Sequence, residues 1–184
     1  MMSIMGGQDA LSRLLDPDYL KGVEDKPSST LREIRQEYCS VEVALSYLRR
    51  LTQGYLDILD FYIEKRESGE PIDSSTLVAT LVRLIADRSQ RPSPPVRLSV
   101  LLAPNLVDLN TEVSDVDLVM SGYEIADLHS MSLDELYAFR SKLQRAERRF
   151  STDRRALHQR IDRLEAELIK RYKSGETTVE ELIG

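Results

Sequence analysis

Several residue types are rare in this chain, and each scarcity excludes a class of protein or site. The 184 residues include one cysteine, two histidines and no tryptophan, and aromatic residues make up only 6%. The single cysteine, Cys39, excludes an internal disulfide and a metal site built from several thiolates. His129 and His158 have no Cys or Asp constellation near them, so we predict no metal site. So few aromatic residues are not typical of a thick globular core.

The sequence also lacks long apolar runs and the short motifs of common enzymes. No stretch is long and apolar enough to span a bilayer. The first residues, MMSIMGGQDA, lack the basic start and hydrophobic region of a signal peptide. We therefore expect a cytoplasmic protein. There is no Gly-rich phosphate loop, no Gly-x-Ser-x-Gly and no His-Glu-x-x-His motif, so we predict no catalytic residues and no enzymatic activity.

Charged residues are abundant, at 30%, and they are unevenly distributed along the chain. The net charge is −6, but residues 132–174 hold twelve Lys or Arg against seven Asp or Glu, a net of +5. Residues 175–184 carry −3, which leaves −8 for residues 1–131. An acidic balance argues against a general nucleic-acid-binding protein. A locally cationic helix can nevertheless attract an anion.

Two long helices dominate the predicted organisation. Thr30 with Glu33, and Ser132 with Glu135, match the capping-box pattern that begins a helix. The irregular middle of the chain mixes apolar and acidic residues without a sustained period. The predicted segments are a flexible N-terminus at 1–29 with a short helical turn at 10–15, a coiled-coil hairpin domain at 30–174 (helix 30–67, helix 75–89, irregular 90–131, helix 132–173) and a tail at 175–184.

Apolar residues at alternating spacings of three and four run along each long helix. Helices of ~40 residues, each ~60 Å long, cannot both lie on a separate globular core, so we predict that they pack on one another as an intramolecular coiled coil. The fold class is therefore all-α. The spacing leaves their direction open, because some sixty residues connect them. The first series is Leu31, Ile34, Tyr38, Val41, Leu45, Leu48, Thr52, Tyr55, Leu59 and Tyr62; the second is Leu136, Phe139, Leu143, Ala146, Phe150 and Leu157, continuing after a stutter at Ile161, Leu164 and Leu168.

One polar pattern occurs in both long helices. Residues 42–57, EVALSYLRRLTQGYLD, and residues 147–162, ERRFSTDRRALHQRID, share Glu, Ser, Arg, Gln or His, and Asp at offsets 0, 4, 7, 11 and 15. At 100° per residue these positions form one stripe about 80° wide and roughly 22 Å long beside the apolar seam. The stripes are Glu42, Ser46, Arg49, Gln53 and Asp57 in the first copy and Glu147, Ser151, Arg154, His158 and Asp162 in the second.

These residue types suit a purine nucleotide. An arginine fork matches the O6 and N7 acceptors of guanine, and a carboxylate can accept from its N1–H and N2–H groups. Ser, Gln and His can donate to phosphate oxygens. The solvated face of a coiled coil carries similar residues, so a ligand-independent adaptor or scaffold is the alternative hypothesis. DNA binding through the basic second helix is a third, which the acidic remainder of the chain disfavours.

The repeated motif resembles the signature of the RsiG family, anti-sigma factors of sporulating filamentous bacteria. Glu-x3-Ser-x2-Arg-x3-Gln-x3-Asp is complete in the first copy, and His158 replaces Gln in the second. The resemblance implies an antiparallel coiled coil whose ten motif residues bind cyclic di-GMP, as a partially intercalated dimer of two molecules.

The same resemblance implies what the ligand is for. The loaded protein would sequester a sigma factor of the WhiG type, keep it from core RNA polymerase and so repress late sporulation genes. The protein would otherwise be a monomer, with no direct contact to DNA or membrane. His158 at the Gln position could make ligand binding sensitive to pH.

Overall fold

The computed structural model describes residues 10–71, Asp115, Val119 and residues 128–175. Every regular element in these residues is helical, which confirms the all-α fold class, and none is both long and apolar enough to cross a membrane. The predicted helix 75–89, most of the irregular segment predicted at 90–131 and the tail from 176 lie outside the described residues. The elements are α1 (Ala10–Leu15), a 3₁₀ turn (Val23–Asp25), α2 (Ser28–Ser68) and α3 (Leu133–Ser174).

Helix α2 begins two residues before the position that the Thr30–Glu33 pattern predicts. Pro27 precedes its first residue, and the carbonyl of Pro27 accepts a hydrogen bond of 3.1 Å from the backbone N–H of Leu31. Proline suits a helix start because its φ is preset and the N–H that it lacks would have no partner in the helix. The helix is followed by Gly69 at a φ of 69°, a left-handed conformation that glycine adopts without steric cost.

Helix α3 begins with the capping box that the sequence predicts. The backbone N–H of Ser132 donates to Oε2 of Glu135 at 2.7 Å, and the N–H of Glu135 donates back to Oγ of Ser132 at 3.3 Å. The hydrogen bond from the Ser132 backbone also lowers the pKa of the Glu135 carboxyl. These reciprocal bonds satisfy donors that the first turn of a helix would otherwise leave unpaired.

The predicted apolar seam is the core of the structure. Tyr55 is half-buried, whereas every other predicted seam position on α2 and α3 is buried, including those after the predicted stutter. Thr52 is buried despite its hydroxyl, because Oγ1 donates to the carbonyl of Leu48 at 2.8 Å. Burying a hydroxyl without such a bond would be costly. The helices therefore hold together through one narrow leucine-rich stripe, as the spacing indicates.

The described residues form two compact units, and each contains part of both long helices. The first unit contains 10–46 and 151–175, and the second contains 47–71, 128–150, Asp115 and Val119. In each unit, residues further along α2 contact residues earlier in α3. The antiparallel direction that the resemblance implies is thus confirmed. The pairs that show it are Ser28 with Arg171 and Arg35 with Glu165 in the first unit, and Asp60 with Arg140 and Glu67 with Tyr137 in the second.

Residues 10–27 lie within the N-terminal segment predicted at 1–29, and they include α1, where a short helical turn is predicted at 10–15, and the 3₁₀ turn. Four of their apolar side chains are buried within the first unit: Leu11, Leu14, Leu20 and Val23. Tyr38 donates its hydroxyl to the carbonyl of Leu14 at 2.8 Å, and Arg160 donates to the carbonyl of Leu15 at 2.5 Å. These hydrogen bonds hold the end of α1 against residues that are distant in the sequence. Local spacing does not reveal them.

Arg171, near the end of α3, fastens the chain just before α2. It is only 8% exposed, and it donates to the carbonyls of Val23 at 3.3 Å, Glu24 at 2.8 Å and Lys26 at 2.5 Å. It also pairs with Glu167 at 2.9 Å. A buried guanidinium is tolerated when its N–H groups have acceptors and its charge has a partner, as here.

We expect Arg171→Ala to lower the free energy of unfolding by about 2–3 kcal/mol, because it leaves one buried and two partly buried carbonyls without their donor. Urea unfolding followed by circular dichroism measures this. The matched control is Arg163→Ala on the same helix, whose exposed side chain lies 3.9 Å from Glu24. We expect it to cost under about 0.5 kcal/mol. Equal losses in the two variants would contradict the role assigned to Arg171.

Candidate ligand-binding site

The two motif copies lie on α2 and α3, directly beside the buried seam. Nine of the ten predicted side chains are half-buried or exposed, and Ser46 alone is buried, at 8% exposure. Both stripes therefore reach the protein surface. A ligand lying along the edge of the seam could contact them.

In the first unit, three donors converge on the carboxylate of Glu42. Its Oε1 accepts hydrogen bonds from Nε of Arg154 at 2.8 Å and Oγ of Ser46 at 2.7 Å, and it lies 3.1 Å from Nε2 of His158. Nε of Arg154 also donates to Oγ of Ser46 at 2.7 Å. We call Glu42, Ser46, Arg154 and His158 the Glu42 cluster. It joins the first motif copy to the second across the helix pair.

In the second unit, the carboxylate of Glu147 has the corresponding neighbours. Its Oε1 accepts from Nε2 of Gln53 at 3.1 Å and lies 3.7 Å from Nη1 of Arg49. Nε of Arg49 is buried and has no hydrogen bond within the part of the chain that is described. Such an unsatisfied donor costs about 1–3 kcal/mol. We call Arg49, Gln53 and Glu147 the Glu147 cluster.

Both clusters therefore use the same motif positions with the helices exchanged. In each, the Glu of one copy meets the Arg and the Gln or His of the other copy. The three remaining motif residues belong to neither cluster: Asp57 and Ser151 are half-buried beside the seam, and Asp162 is exposed. The repeated pattern thus brings at least seven of the ten predicted residues into cross-helix contact.

The repeat extends beyond the sixteen residues of each motif, which the sequence analysis did not detect. Arg35 pairs with Glu165 at 2.6 Å in the first unit, and Arg140 pairs with Asp60 at 2.7 Å in the second. Each arginine lies seven residues before a motif Glu, and each acid lies eighteen residues after one. A longer comparison of the two copies would have found them. Exposed pairs contribute only about 0–1 kcal/mol each, but opposite charges favour the register in which they meet.

Arg66 and Arg171 are a further pair of residues that occupy matching positions in the two copies. Arg66 donates to the carbonyl of His129 in the second unit, and Arg171 donates to that of Glu24 in the first. Both acceptors lie just before a long helix. In each unit, therefore, an arginine near the end of one long helix binds the backbone that leads into the other.

The surroundings of Glu42 favour its charged form. Burial raises the pKa of the Glu42 carboxyl, but hydrogen bonds from Ser46 and Arg154 and the positive charges of Arg154 and His158 outweigh burial. The net pKa of Glu42 is therefore below its ordinary value of 4.5. Arg154 thus faces an ionised carboxylate at neutral pH.

This lowered pKa predicts how stability depends on pH. The stabilisation by ionised Glu42 is complete above pH 4.5, its unfolded-state value, and is lost as the pH falls through the lower folded-state pKa. We expect Glu42→Gln to reduce the loss of unfolding free energy in this acid range. Urea titrations at a series of pH values test this. Glu33→Gln, an exposed site on α2, is the control; an identical pH slope for Glu42→Gln and the unaltered chain would contradict the prediction.

Comparison with known proteins agrees with the resemblance. The model of the RsiG-like family matches residues 17–84 and 123–184, which include both motif copies and most of the chain. A search of curated proteins finds no match. On this family match, the chain belongs to the RsiG-like family.

Proposed function

We propose that this protein is an anti-sigma factor that binds cyclic di-GMP at the Glu42 and Glu147 clusters. When loaded, it sequesters a sigma factor of the WhiG type and represses late sporulation genes. The observation that carries the proposal is the exchanged pairing of the two motif copies at a partly exposed edge of the helix pair. Family membership supports an anti-sigma role in general, and the chemistry of the motif residues supports the ligand.

The residues of both clusters fit a guanine dinucleotide. The side chains of Arg49 and Arg154 are 27% and 34% exposed, so their guanidinium groups are within reach of a ligand. Arginine matches the O6 and N7 edge of guanine. When bound, cyclic di-GMP supplies purine edges and two phosphates.

The motif residues other than the arginines would contact the guanine bases and the phosphates of the ligand. The carboxylates of Asp57 and Asp162 can accept from guanine N1–H and N2–H groups. Gln53, His158 and Ser151 can donate to phosphate oxygens. Two motif copies fit the expected two ligand molecules per chain, bound as a partially intercalated dimer.

Ligand and sigma factor must favour each other's binding if the ligand controls sequestration. Such coupling arises only if the ligand binds the complex more tightly than the free protein. The coupling is reciprocal, so the sigma factor would increase ligand affinity by the same factor. A ligand on the exposed stripes would add its own purine and phosphate groups to the face that meets the partner. Calorimetry with each binding partner added in either order measures both couplings.

Removing the motif arginines should abolish the coupling between ligand binding and capture of the sigma factor. We expect Arg49→Ala and Arg154→Ala each to weaken cyclic di-GMP binding by about 10–100-fold, since a bidentate arginine–guanine contact is worth about 1–3 kcal/mol. Ligand-dependent capture of the sigma factor should be lost in both. Isothermal titration calorimetry, with and without the sigma factor, measures the effect.

The chain offers matched controls next to each arginine. Arg50→Ala and Arg155→Ala remove exposed arginines one position further around each helix, away from the stripes. We expect less than about threefold loss of affinity, because they test charge without the proposed contact. Ligand-dependent capture that survives both Arg49→Ala and Arg154→Ala would refute the proposed site.

The cross-helix pairs also support one alternative function. Arg154 and Glu42 already satisfy each other without a ligand, as they would in a coiled-coil adaptor or scaffold. That function predicts sigma-factor capture that is unchanged by cyclic di-GMP. The calorimetric experiment distinguishes the two.

A further inference from the structure

Two large hydrophobic side chains are exposed near the end of α3. In the part of the chain that the structure describes, three such side chains are exposed: Ile169 at 51%, Tyr172 at 44% and Tyr137 at 38%. Tyr137 donates its hydroxyl to Glu67 within the second unit. Ile169 and Tyr172 lie three residues apart on one helix, so they are neighbours on the same face. We call these two residues the α3 patch.

The α3 patch continues the second motif stripe. His158, Asp162, Glu165, Ile169 and Tyr172 follow one another at spacings of four, three, four and three residues. At 100° per residue they fall within one stripe about 80° wide. His158 belongs to the Glu42 cluster, and Ile169 lies ~16 Å further along the helix at 1.5 Å per residue. The patch therefore lies on the same edge as the Glu42 cluster and in the same unit.

The first copy of the repeat carries acids at the matching positions. The two copies are 105 residues apart, so Ile169 corresponds to Glu64 and Tyr172 corresponds to Glu67. Both glutamates are exposed. Glutamate favours a helix more than isoleucine or tyrosine does. Helix formation therefore does not explain why apolar residues occupy these exposed positions in the second copy.

On the basis of the proposed function, we infer that the α3 patch is a docking surface for an apolar segment of the sigma factor. A partner that rests on a ligand at the Glu42 cluster and extends along the same edge covers the patch. Single exposed apolar residues are ordinary, but adjacent ones beside a binding site indicate a contact surface. Two side chains are far less than the roughly 1,200 Å² that a stable interface between two copies would bury.

Alanine variants of the patch test the docking surface. We expect Ile169→Ala and Tyr172→Ala each to weaken capture of the sigma factor at saturating cyclic di-GMP by about tenfold or more. The reason is that each variant no longer buries a large apolar side chain against the partner. Binding of cyclic di-GMP to the free chain should stay within about threefold, since neither residue belongs to a cluster. Isothermal titration calorimetry measures both affinities.

Glu64→Ala is the matched control, because it truncates an exposed side chain at the position of Ile169 in the other copy. We expect it to change capture by less than about threefold. All three positions are exposed, so urea unfolding should show the same midpoint for each variant as for the unaltered chain. Unchanged capture in both patch variants, or an equal loss in Glu64→Ala, would overturn the inference.

Photochemical cross-linking identifies the molecule that covers the patch. With Tyr172→benzoylphenylalanine in the full chain, irradiation in the presence of the sigma factor and cyclic di-GMP should join the chain to the sigma factor. Arg163→benzoylphenylalanine places the same group at an exposed position on another face of α3 and should give no such product. A product that joins two copies of the chain, with none to the sigma factor, would overturn the inference.

Failure of the inference can be told apart from failure of the proposed function. If the unaltered chain captures the sigma factor only with cyclic di-GMP, and both patch variants capture it equally well, the docking surface alone is wrong. If the unaltered chain captures no sigma factor at saturating ligand, the docking surface and the proposed function are both wrong. Weaker capture by the patch variants, with ligand binding retained, supports both.

Discussion

The buried stripe of leucine and other apolar residues on α2 and α3 is the constraint on which the remaining structure depends. Because the stripe is narrow, each helix packs only one face against the other. The polar positions beside that face therefore lie at the edge of the contact. Leu48 and Leu157 are fully buried next to Arg49 and His158, which remain half-buried. The motif side chains are therefore positioned by the packing of their apolar neighbours.

Pairing across the helices gives the edge a balanced charge before any partner binds. Glu42 is ionised and faces Arg154, and Glu147 faces Arg49. Under the proposed function, a purine ligand would have to compete for these arginines with the protein's own carboxylates. Such competition favours a ligand that carries donors for the carboxylates as well as acceptors for the arginines. Guanine carries both on its edges.

The internal repeat governs more than the motif, yet it does not make the two halves equal. The pairs Arg35–Glu165 and Arg140–Asp60 repeat at the same spacing as the clusters and favour one register of the helices. Within that shared framework, Ser46 is buried between Glu42 and Arg154, and His158 takes the place that Gln53 has in the first copy. Small differences in burial and in one side chain are enough to distinguish otherwise matching sites.

Helical periodicity is a local property, so the sequence by itself determined the two long helices, their apolar seam, the Ser132–Glu135 cap and the position of the ten motif residues beside that seam. It did not determine contacts between distant residues. Only the tertiary structure decided that Glu42 meets Arg154, 112 residues away, and that Arg171 is buried against the backbone before α2. It also decided that the carbonyls of Leu14 and Leu15 accept hydrogen bonds from α2 and α3 and that α2 begins at Ser28. These features depend on which parts of the chain approach each other once the seam is buried, and residue spacing carries no measure of that approach.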